Sequence, residues 1–131
     1  MRYMKSDIYF MTLALLSVWK VGVLKNYMGI VVCNANDDLI KIQCMKKDEY
    51  KNDACMAAVF FGQNMQFANA KIFTTFCPTY EFMSCAVSKK IQNVIYLAKN
   101  NNSELEKEFN ICQRFPHNFG KIIDLLSLYN K

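Results

Sequence analysis

Met28-Gly29-Ile30-Val31-Val32-Cys33-Asn34-Ala35-Asn36-Asp37-Asp38 passes from an unbroken apolar run into a polar, acidic one. The small residues at 33 and 35 satisfy the small-x-small pattern of a signal-peptidase site. Upstream, Arg2 and Lys5 make a basic n-region, and residues 8–19, IYFMTLALLSVW, form a 12-residue apolar run. That is the length of a signal-peptide h-region and too short to span a bilayer. The stretch reads as the end of a signal segment over residues 1–35, followed by a mature domain over 36–131. An uncleaved anchor from Ile8 to Val32 is the alternative, but Lys20 and Lys25 fall inside it, each costing about 2.5–3.5 kcal/mol near the centre of a span. The expected localisation is extracellular, with no stable membrane insertion after cleavage.

The composition fits that reading. The chain has 131 residues, 53% of them apolar and 21% charged, a one-domain length that is not disordered by composition. With only 4 Gly and 2 Pro it lacks the turn formers of an all-β sandwich. Its net charge of +5 is not clustered like a nucleic-acid footprint: residues 1–35 carry four basic groups against Asp7, and residues 36–131 carry 12 basic against 10 acidic. The pairs Lys46-Lys47 and Lys89-Lys90 read as solvated helix faces. No nucleic-acid partner is expected.

Six cysteines, Cys33, Cys44, Cys55, Cys77, Cys85 and Cys112, are many for an intracellular chain. No C-x-x-C occurs and His117 is the one histidine, so neither a redox motif nor a Cys/His metal site is expected. In a secreted domain the default is disulfides. If Cys44 and Cys55 share one helix they lie about 16 Å apart, beyond the roughly 7 Å that a disulfide allows between Cα atoms. The expectation is bridges between helices, with Cys44 and Cys55 each reaching Cys77, Cys85 or Cys112.

The mature chain reads as a small all-α bundle of about four helices. The first starts at Asp37 or Asp38, continues or restarts at Asp53, and stops at Gly62. A connector follows over residues 64–76. The second helix opens at Cys77-Pro78, with Glu81 in its first turn, and is ended by Asn100-Asn101-Asn102. Ser103-Glu104-Leu105-Glu106 is a capping box for a third helix. A fourth covers residues 118–129. Phe67, Phe73 and Phe76 fall in the connector, where helical packing does not account for them, and are the candidate contact surface. Asn101-Asn102-Ser103 is a glycosylation sequon at Asn101.

No phosphate loop, G-x-S-x-G or H-E-x-x-H is present. Glu104, Glu106 and Glu108 read as surface charge at a helix start, and Cys112 as a bridging cysteine rather than the nucleophile of a Cys112/His117 pair. No catalytic residue, metal or cofactor is assigned, and the chain is not read as an enzyme.

The Cys33-Asn34-Ala35 site, the acidic mature start and the Cys44…Cys55…Cys77…Cys85…Cys112 framework resemble helical, cysteine-rich secreted proteins of arthropod venom, saliva and haemolymph. They depart from the six-cysteine odorant carriers, whose second and third cysteines are three residues apart. The resemblance implies action by binding: a toxin-like effector engaging a protein target or, alternatively, an extracellular carrier of a small apolar ligand.

Overall fold

The computed structural model describes residues 5–21, 27–46, 49–98 and 105–115. It corrects the all-α expectation: the chain is an α/β domain around a five-stranded mixed sheet. Helix α1 (Lys5–Val21) leads into β1 (Tyr27–Cys33) and β2 (Leu39–Lys46), followed by α2 (Asp53–Phe61), β3 (Lys71–Phe76), α3 (Tyr80–Ser88), β4 (Asn93–Ala98), α4 (Leu105–Glu108) and β5 (Cys112–Arg114). The strand order is β2-β1-β3-β4-β5. β1 is antiparallel to β2 and to β3, whereas β3/β4 and β4/β5 are parallel.

β1, β3 and β4 are covered on both faces, which is why their sequences show no apolar–polar alternation, whereas β2 is a largely exposed edge strand. Met28, Ile30 and Val32 of β1, Ile72 of β3, and Val94 and Tyr96 of β4 pack with Met56, Phe60, Phe82 and Met83 of α2 and α3. The opposite parity, Val31, Cys33, Phe73, Ile95 and Leu97, packs with Phe10, Met11, Ala14, Leu15 and Val18 of α1. The helix α1 and strand β1, read from the sequence as a signal segment, thus supply buried residues to the core. No helix among the described residues is long and apolar enough to cross a membrane.

α1 approaches the sheet closely at Gly29. A Cβ there would lie 2.1 Å from the Ala14 carbonyl oxygen. The Gly29 N–H donates to Thr75 Oγ1 at 3.0 Å, fastening β1 to β3.

The scarcity of glycine is offset by three other residues that turn the chain in the left-handed region: Asp37 (φ 63°), Asn69 (φ 62°) and Lys90 (φ 61°). Asn and Asp tolerate that region, whereas for lysine it costs about 1–2 kcal/mol. The Asp37 turn is further held by Lys71, whose Nζ lies 3.0 Å from its carboxylate.

The cysteine reading is also corrected. No disulfide joins Cys33, Cys44, Cys55, Cys77, Cys85 or Cys112. Cys44 lies on β2 and Cys55 on α2, so the single helix assumed in the bridging argument does not exist. Cys33, Cys77 and Cys112 are buried as small apolar side chains. A reducing agent should therefore leave the melting temperature unchanged. Thermal unfolding with and without dithiothreitol checks this, and a large drop on reduction would restore the bridged reading.

Burial also pushes the Cys33 thiol up to about 11 and the Cys112 thiol up to about 12, from an ordinary 9.0. The neutral thiols belong to the folded state, so their contribution is complete below pH 9.0 and is lost as pH rises through those raised values. Denaturant midpoints should stay flat with respect to these groups up to about pH 9 and fall above it. Replacing Cys33 and Cys112 by Ala should flatten that alkaline fall.

Candidate functional site

The strands and their connections bring two helix N-termini to one edge of the sheet. β2 runs out at Lys46 and leads into α2; β3 runs out at Phe76 and leads through Cys77-Pro78-Thr79 into α3. Their strand ends lie at the same level, because Met28 pairs with Met45 on one side of β1 and Ile30 pairs with Thr74 on the other. This is the carboxyl edge of the parallel strands β3 and β4, the usual place for ligand sites in open α/β sheets.

Both N-termini are closed by their own caps. Asn52 sits in extended backbone (φ −160°, ψ 177°), and its Oδ1 accepts from the Cys55 N–H at 2.9 Å. Thr79 (φ −86°, ψ 169°) does the same for α3, its Oγ1 accepting from the Phe82 N–H at 3.2 Å. Each cap satisfies one of the donors that a helix start leaves open. Asp53 and Glu81 stand in the first turns, where the helix dipole favours an anion. Behind the caps the space is filled by rings. Phe82 is buried, with its centroid 5.5 Å from Phe60 and 4.9 Å from Phe61.

A second polar assembly lies on the same face. The Tyr96 hydroxyl donates to Glu106 Oε1 at 2.7 Å, and the Arg114 N–H donates to the same oxygen at 2.9 Å. Glu106, read from the sequence as surface charge, thus ties β4, α4 and β5 together. Burial, and then Glu106, pushes the Tyr96 phenol well above its usual range, so it stays a donor at every ordinary pH. A short helix does start at Leu105, but Ser103 of the expected capping box lies outside the described residues, Cys112 falls on β5 instead of that helix, and nothing in the sequence signals Tyr96, the partner of Glu106, 10 residues earlier.

The candidate contact surface does not survive. Phe67 is buried against Phe60 and Phe61, and Phe73 is buried and Phe76 packs against both core clusters because residues 71–76 are a central strand and not a connector. Cys44, Cys55, Cys77, Cys85 and Cys112 are dispersed over β2, α2, the β3–α3 connection, α3 and β5. Asn101 and His117 lie outside the described residues.

No family model and no curated protein matches the chain. Solved structures do. Acinetobacter baumannii RibD, form 1, is similar with a TM-score of 0.64 at 20% identity, over 96% of this chain and 38% of that one. Form 2 gives a TM-score of 0.62 at 21% identity, with the same coverage. A chain from a study of A-to-I editing by tRNA:A34 deaminases at the wobble position of transfer RNA gives 0.52 at 19% identity, over 72% of this chain and 78% of that one. The chain shares the fold of these solved structures. The chain spans 38% of the RibD length. These likenesses overturn the expected kinship with secreted arthropod proteins. They also replace the toxin-like binding protein or apolar-ligand carrier, and the reading as a non-enzyme, with a fold shared with enzymes.

Zinc-dependent base deaminases hold their metal with an H-x-E and a P-C-x-x-C signature; the glutamate is the general acid and base. The residues here do not fit that group. Pro78 is followed by Thr79, and the second cysteine position falls on Phe82. The Thr79 hydroxyl is engaged in its cap, and Phe82 has no donor atom and fills the core. Asn52-Asp53-Ala54-Cys55 contains neither histidine nor glutamate. The other proline, Pro116, is followed by His117 and not by a cysteine. Among the described residues no three His, Cys, Asp or Glu side chains come together as a metal site.

Proposed function

We propose that the chain serves base or nucleotide deamination as a deaminase-fold domain of an enzyme, working beside a zinc-bearing domain rather than carrying the metal-bound hydroxide on its own helices. The observation that supports this most is the sheet order, with two helices starting at the carboxyl edge of the strands, in a likeness covering 96% of this chain but 38% of RibD. The self-capped N-termini and Phe82 argue that the contribution is structural or recognitive. Caps and packed rings make that edge rigid, and a rigid edge suits a surface that orients another domain or a base.

The test is ammonia release from an adenosine-bearing tRNA anticodon stem-loop and from cytidine. The chain alone should release none. Added to a zinc-bearing deaminase chain from the same source, it should change the rate or the apparent substrate affinity. An active deaminase indifferent to this chain at saturating concentration would overturn the proposal, as would turnover by the chain alone.

A further inference from the structure

At the opposite edge of the sheet, the connector after α2 and the turn after α3 lie side by side. The Asn69 N–H donates to the Lys90 carbonyl at 2.8 Å, and the Gln92 N–H donates to the Ala70 carbonyl at 2.8 Å. Between them is an open cleft of about 550 Å³, lined by Asn64, Gln66, Phe67, Ser88, Lys89 and Lys90 among others. Its wall is preformed: Phe67 is anchored in the core, 5.7 Å from Phe60 and 5.2 Å from Phe61.

The polar chemistry of the cleft has one sign. Lys89 and Lys90 are its charged lining residues, and no carboxylate lines it. The side chains of Asn64, Gln66, Lys89 and Lys90 are exposed and make no hydrogen bond or ion pair among the described residues. Lys90 is not on the helix face that the sequence suggested. It is the left-handed residue after α3, with its N–H donating to the Val87 carbonyl at 3.0 Å and the Ile91 N–H to the Ala86 carbonyl at 3.1 Å. Glycine is the residue that ends a helix this way without strain. A lysine held in that conformation places a second ammonium group beside Lys89 on the same cleft, and strain of this kind concentrates at functional positions.

We propose that this cleft binds a phosphate group, with Lys89 and Lys90 meeting its charge and the amides of Asn64 and Gln66 its oxygens. The phosphate can belong to a free nucleotide or to an RNA backbone. The proposal stands on this edge of the sheet alone and does not depend on the deaminase reading.

Calorimetric titration of the intact chain at low salt with inorganic phosphate, adenosine 5′-monophosphate and a short single-stranded RNA tests it. A nucleotide site predicts that the monophosphate binds, that inorganic phosphate competes, and that adenosine does not bind. A backbone site predicts that RNA alone binds, and that removing two lysine contacts cuts the salt slope by about 1.4. In either case Lys89→Gln/Lys90→Gln should weaken binding about tenfold or more. Lys90→Gly separates fold from function: it should raise the melting temperature by about 2–4 °C while weakening binding. Failure of all three probes to bind would overturn the proposal. So would unchanged binding in the double variant, or a Lys90→Gly chain that gains stability and binds as before.

Discussion

A fragment of residues 36–131 should not fold. It lacks α1 and β1, and β1 lies inside the sheet between β2 and β3. Its removal strips both neighbours of their antiparallel partner and uncovers Ile72 and Phe73, which are fully buried in the intact chain. The loss includes Phe10, Met11, Leu15, Val18, Met28, Ile30, Val31 and Val32, all buried. At about 1.5–3 kcal/mol for each large apolar side chain, the deficit exceeds the roughly 5–15 kcal/mol by which a domain of this size is stable. The fragment should give no cooperative thermal transition and poor amide dispersion, whereas the intact chain should give both. A cooperatively melting 36–131 fragment would mean that cleavage after Ala35 leaves a complete domain.

Gly29→Val should be the most damaging single substitution. The added Cβ meets a backbone oxygen, Ala14 O at 2.1 Å, and not merely the tip of a flexible side chain. Either α1 lifts off the sheet or β1 shifts and strains the Gly29–Thr75 hydrogen bond. The expected loss is about 3 kcal/mol or more. Ser17→Ala in the same chain should not rescue it, since Ser17 Oγ is only the second contact, at 2.8 Å. Urea midpoints of the two single variants and the double variant decide the matter. A Gly29→Val chain as stable as the parent would mean that α1 does not pack on β1.

The helix starts were more legible than the strands. Asn52-Asp53 and Gly62 bracket α2, and Pro78 with Glu81 marks the opening of α3, because caps and dipole charges act within one turn and leave local signatures. The strands left no such mark. Met28–Cys33 and Val94–Leu97 are buried on both faces, so they read as the end of a signal segment and as the continuation of a helix. Val94, Leu97 and Ala98 fit a helical stripe as well as a strand, and only the pairing of Val94 with Ile72 and with Cys112 decides between them.

The turns were hidden for a related reason. Asp37, Asn69 and Lys90 adopt left-handed backbone without glycine, so the low glycine count, which argues against an all-β sandwich, says nothing against a mixed α/β sheet. The cysteines misled because burial and bridging both favour them; only the sheet separates Cys44 from Cys55 and makes their burial sufficient. The site edge was half visible. Pro78 marks it, but that Thr79 caps α3 and that Phe82 fills the core emerges only once the fold is known.

If helix caps and aromatic packing, and not a metal, close the carboxyl edge of this sheet, the chain holds no zinc. The zinc content of the intact chain, produced in zinc-supplemented medium, dialysed and measured by plasma mass spectrometry, tests that most directly. The expected result is far less than one zinc per chain, with an unchanged melting temperature after chelator treatment. One tightly held zinc per chain, together with a melting temperature that drops when it is removed, would contradict it.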